Sequence, residues 1–95
     1  MVDPRNFDTV AIVSRDHMAA VVAAAPLRRA GIPVEVFLTG SRKRQWDKAG
    51  RFEVVVDLDE RTAKDMILGG KIDLGGDIVG AALAALDGIE VDSHA

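Results

Sequence analysis

The stretch TVAIVSRDHMAAVVAAAPLRRAGIPVEVFLT, Thr9 to Thr39, decides the fold. Its first six residues, TVAIVS, are too continuously apolar for a strand with one wet face, so they predict a strand covered on both sides. Asp16 then supplies a side-chain acceptor for free helix N–H groups, and Met18, Val21, Val22 and Ala25 recur at helical spacing. The helix is expected from about His17 to Ala30, where Gly31 offers a left-handed stop and Pro33 bars continuation. Pro26 lies inside it and predicts a kink or a broken turn, because its ring opposes the carbonyl of Val22. Pro33 to Thr39 reads as a second buried strand.

Working outward, Ser41 can cap a short basic helix over Arg42 to Lys48 that ends before Gly50, and Phe52 to Val56 (FEVVV) is a third strand. Strands alternating with helices require crossover connections, so the expected fold is α/β: a small, doubly wound, mostly parallel sheet of four to five strands with about three helices. Glu60 to Leu68 reads either as a helix or as an irregular approach to a short strand around Lys71 to Leu74. Gly75 and Gly76 break that segment. Asp77 caps a last helix with Val79, Ala82, Leu83 and Leu86 on one face, and Gly88 stops it. Residues 1–8 are expected as an N-terminal arm, and a short edge segment from Ile89 as leading into a frayed tail over 90–95. One domain over 1–95 is the expectation, since 95 residues support a single core.

A hydrophobic fraction of 48% beside 28% charged residues excludes a disordered tail. There is no cysteine, which removes disulfides, thiolate nucleophiles and cysteine metal sites. The N-terminus lacks the apolar run of a secretory signal, and no stretch approaches the ~20 apolar residues of a membrane span, so a cytoplasmic protein is expected. The formal charge is −3, but it is unevenly placed. Between Arg28 and Arg51 stand seven basic residues against two acidic ones, whereas from Ile72 onward there are five acidic residues and no Lys or Arg. A polyanion responds to the local field, not to the sum.

Several residue groups resemble chemical sites and have plainer readings. Ser14, Asp16 and His17 are the residue types of a hydrolytic triad. They stand too close in sequence to align, and no G-x-S-x-G elbow surrounds Ser14, so a helix cap beside an exposed histidine is expected. Asp16 and Asp57 at two strand ends lack the further acidic residues and the lysine of a phosphoacceptor pocket. The Gly69-Gly70 and Gly75-Gly76 pairs match no phosphate loop. His17 and His94 have no spaced metal-ligand partners. No cofactor is expected. A small-ligand enzyme would need a pocket at the strand rim, lined by Ser14, Asp16, Thr39 and Asp57.

The most distinctive segment is Ser41 to Arg51, SRKRQWDKAGR. As a phosphate-contacting strip it would use Arg42, Lys43, Arg44, Lys48 and Arg51 on a nucleic-acid backbone, Gln45 on a base edge and Trp46 as a stacking plate. The plainer alternative is a solvated helix face with Trp46 in the core.

Four segments also resemble a known family in order. LRRAGIPVEV, Leu27 to Val36, is similar to an "LR-x-AGI-x-x-E" stretch. RQWDKAGRF, Arg44 to Phe52, is similar to a shortened "K-Q-x-x-x-A-D-x-x-G-x-x-F" element. DLDE, Asp57 to Glu60, stands at a "G-x-x-E" position, and AKDMILG, Ala63 to Gly69, is similar to "x-K-D-L-x-x-G". These motifs belong to the anticodon-binding domain of class II aminoacyl-tRNA synthetases, with the histidyl type the most similar. The resemblance implies a mixed-sheet α/β domain and tRNA as partner, and it adds Glu60 and Lys64 as site residues by motif position. The second helix is several residues short, and little room is expected between Glu60 and Lys64 for the family's β-hairpin. The family's domain that binds ATP and histidine is not among these 95 residues, so this chain, as an excised domain or a stand-alone paralogue, is expected to bind RNA without catalysing aminoacylation. DNA is not an expected partner. The alternative is a regulatory or protein-interaction module that kept the fold and pairs with a second copy or another protein through its Ala-rich last helix.

Overall fold

The computed structural model describes residues 6–88. Five strands and three helices follow one another as β1 (Asn6–Val13), α1 (His17–Arg29), β2 (Val34–Val36), α2 (Arg42–Ala49), β3 (Phe52–Asp57), β4 (Thr62–Asp65), β5 (Lys71–Asp73) and α3 (Ile78–Asp87). The sheet order is β2-β1-β3-β4-β5. β1 pairs in parallel with both β2 and β3, whereas β4 is antiparallel to β3 and to β5. The sheet is therefore mixed, with a parallel centre.

β1 begins at Asn6, so the expected arm is shorter than eight residues. Residues 1–5, the edge segment expected from Ile89 and the tail over 90–95 lie outside the described residues. Of the two strands read as buried, only β1 is so: it is central and fully buried from Val10 to Val13. β2 is a sheet edge with Val34 and Val36 half-buried and Glu35 exposed, and the second fully buried strand is β3, over Val54 to Val56. β2 pairs over only three residues, fewer than the seven read in the sequence. Phe37 next to it turns to the other face of the sheet, where it packs with Ala11, Val13, Ala49, Phe52 and Val55.

The topology fixes which helix lies on which face. From β1 the chain moves to one edge and then returns past β1 to β3, so right-handed crossovers put α1 and α2 on opposite faces. α1 and α3 share one core with Val10, Ile12, Val54, Val56 and Ala63, through Ala20, Ala24 and Leu27 on α1 and Ala81, Ala82 and Ala85 on α3. α2 covers the other face through Ala49, with Trp46 partly buried against that second core. α1 continues through Pro26 to Arg29, so the turn there is not broken.

The segment after Asp57 corrects the sequence reading. It forms neither a helix nor an irregular approach but a β3–β4 hairpin, and the four residues Leu58 to Arg61 are room enough for its turn. The Asp57 carboxylate accepts from the backbone N–H of Asp59 (3.0 Å) and of Glu60 (3.1 Å), which tightens the first half of the turn. Arg61 closes it in the left-handed region, at φ 59°. β4 alternates half-buried and buried positions, the period of a strand with one covered face. None of the helices among the described residues is long and apolar enough to cross a membrane.

Candidate nucleic-acid interface

The carboxyl ends of parallel strands β1 and β3 form the crevice where open α/β sheets hold ligands. Here the chain fills it with its own side chains. Gln45 is 1% exposed. Its amide oxygen accepts from Ser14 N–H at 2.8 Å, and its amide nitrogen donates to the carbonyls of Ser14 (2.9 Å) and Gly40 (3.1 Å). Arg42 closes the mouth. Its guanidinium donates to both Asp57 oxygens, at 2.8 and 2.7 Å, and to Asp59 at 2.6 Å, with Glu60 3.9 Å away. Asp59 in turn accepts from Arg15 N–H at 3.1 Å.

These contacts set the charge states. Burial on its own would push the Asp57 carboxyl up, but hydrogen bonds from Arg42 and from the Glu60 and Asp59 amides, with the Arg42 charge, hold it below the usual carboxylate range. Arg42 is held above its ordinary value, first by its bond to Asp57 and then by Asp59. Asp16 caps α1 by accepting from Met18 and Ala19 N–H at 3.1 and 3.2 Å, while His17 Nε2 lies 3.4 Å from Gly40 O. Ser14, Asp16 and His17 are thus occupied in backbone and capping contacts. No cluster of metal-ligating side chains occurs among the described residues.

On α2 the helical repeat divides the basic segment into two sides. Ser41 caps the helix by accepting from Arg44 N–H at 3.3 Å. Arg42, Gln45, Trp46 and Ala49 turn inward, at intervals of three, one and three residues. Lys43, Arg44, Asp47 and Lys48 are left exposed, and Arg51 continues that side past the helix end. None of the four cations is within ion-pairing distance of a carboxylate among the described residues. Lys43, Arg44 and Lys48 line a shallow depression with Ser41 and Asp47. Asp47, Lys48 and Arg51 also border a second one with Glu35, Phe37 and Phe52.

The expected site residues therefore separate. Lys43, Arg44, Lys48 and Arg51 stand together on the surface. Arg42, Gln45 and Trp46 are committed inward, to Asp57 and Asp59, to the β1 terminus, and to the second core. Glu60 is exposed in the hairpin turn, on the Arg42 side. Lys64 lies on β4 next to Ala63, which faces α1 and α3, so Lys64 belongs to the α2 side of the sheet. The register adds one cation that sequence reasoning missed. Lys71 on β5 stands directly opposite Lys64, and opposed residues of an antiparallel pair share a face. Only the pairing register reveals that neighbour. No family model, curated protein or solved structure matches this chain.

Proposed function

We propose that this chain is a non-catalytic RNA-binding domain, resembling the tRNA anticodon-binding module of histidyl-tRNA synthetases, that holds its partner by the phosphate backbone. The observation carrying this reading is the exposed set Lys43, Arg44, Lys48 and Arg51, gathered around Asp47 on one side of α2 and past its end, and without an ion-pair partner among the described residues. Lys64 and Lys71 lie on the same face of the sheet, two like charges opposed across a strand pair, an arrangement that costs stability unless an anion shares it. The mixed sheet is compatible with the fold that the resemblance implies.

Backbone contact is favoured over base reading because the groups that read bases are withdrawn. Gln45 is the only glutamine in the chain and is buried; Phe37 and Phe52 are buried and Trp46 is partly so. With no fully exposed aromatic ring or free amide among the described side chains, charge and hydrogen bonds to phosphate oxygens supply the affinity. A small-ligand enzyme at the strand rim is disfavoured, because Gln45 and Arg42 occupy the crevice. A cytoplasmic setting, where tRNA is found, goes with this reading.

The test is a titration of total tRNA at two salt concentrations. Four or five neutralised phosphates give a log-log slope of about −3 on single-stranded segments. Lys43→Ala/Arg44→Ala/Lys48→Ala should flatten that slope and weaken binding at least about tenfold at low salt. Binding that is equally tight at both salts, or unchanged in the triple variant, removes the proposal.

A further inference from the structure

α1 and α3 are apolar nearly all the way round. From Met18 to Leu27 and from Ile78 to Leu86 there is not one polar side chain. A helix of that kind belongs inside something, yet each has only its sheet-facing side covered. Met18 is 70%, Val22 69% and Leu83 50% exposed. Near the helix N-termini the surface opens into a groove of about 540 Å³, lined by Ala19, Val22, Ala23, Leu58, Leu74 and Ile78, with Arg61 as its one charged side chain. Contiguous apolar surface of this kind marks an interface.

The charges around this face indicate its occupant. α1 ends in Arg28 and Arg29 and holds no acidic residue, while α3 ends in Asp87 and holds no basic one. The two helices run side by side in the same direction. Ile78 meets the α1 N-terminal half across the groove, whereas Gly88 lies beside Leu68 at the far end of the sheet. A two-fold axis parallel to the helices lays α1 of one copy on α3 of the other, and does so twice. Arg28 and Arg29 then meet Asp87 of the second copy. A perpendicular axis would lay each helix antiparallel on its own copy, with Asp87 against the Asp77 end of α3 and Arg28 and Arg29 against the Asp16 end of α1. Only the first arrangement brings opposite charges together without also opposing like ones, so it is favoured.

We infer that the α1/α3 face is a self-complementary interface on which a second copy of this chain docks, independently of RNA binding on the opposite face. A 13-residue helix is about 20 Å long. Two such helices present a footprint of about 400 Å², below the ~800 Å² per partner of a standard stable interface, so the association is of the weak, concentration-dependent class.

Sedimentation velocity over a micromolar concentration series tests this. The wild-type chain is expected to shift from monomer to dimer. Val22→Asp and Leu83→Asp, both at exposed positions, should each weaken association roughly tenfold or more while thermal melts stay near wild type. Arg28→Glu/Arg29→Glu should also weaken it, and adding Asp87→Arg should restore it. A wild-type chain that stays monomeric throughout the series overturns the inference, as do Val22→Asp and Leu83→Asp variants that dimerise normally. Capture of a different partner by a monomeric wild-type chain overturns it too.

Discussion

Arg42 shows how one side chain can change its role between a sequence and a structure. In the basic run it is one cation among five, but in the fold it is the counter-charge of a carboxylate whose side chain is 2% exposed. Removing it leaves Asp57 buried with only backbone donors. Arg42→Ala should therefore cost about 2–3 kcal/mol in urea unfolding at pH 7, and Arg42→Lys should recover only part of that, because an ammonium cannot reproduce the forked bonds to both Asp57 oxygens. The pH dependence follows from the lowered Asp57 value. A carboxyl depressed in the folded state contributes stability above its unfolded value of about 4, and that contribution disappears as pH falls through the folded value. Melts at pH 7 and pH 3 should show a smaller acid loss in Arg42→Ala than in the wild-type chain.

At the scale of elements, the segments with a strong period were legible and the short ones were not. β1, α1, α2, β3 and α3 follow from apolar runs, caps and glycine stops within a few residues. The β3–β4 hairpin escaped because its turn contains no glycine or asparagine. It is held by the Asp57 carboxylate, a turn signal that a lone Asp also gives at helix caps, and by Arg61 in a conformation that side chains seldom adopt, which leaves no sequence signal. Arg61→Gly should relieve that strain and raise stability by about 0.5–1 kcal/mol, read as a higher melting temperature with unchanged circular dichroism. The burial of Gln45 and the inward turn of Arg42 were legible in principle. Residues 42, 45, 46 and 49 fall on one helical stripe with Trp46 and Ala49, but a run rich in Arg and Lys draws attention to charge before phase. What packs against that stripe came only from the β1–α2 contact and could not be read locally.

Across the whole molecule, the sheet separates two unlike surfaces: a greasy pair of helices on one side and a cationic helix on the other. The charge asymmetry was plain in the sequence, whereas the opposition of the two faces depends on crossover handedness and on the order of the strands. If both surfaces are occupied as inferred, the two cationic strips of a dimer point outward in opposite directions. Neither could then wrap the same short oligonucleotide. The pair would act as a two-ended linker, tying separate nucleic-acid molecules into extended networks near equal stoichiometry and dispersing them again when either component is in excess.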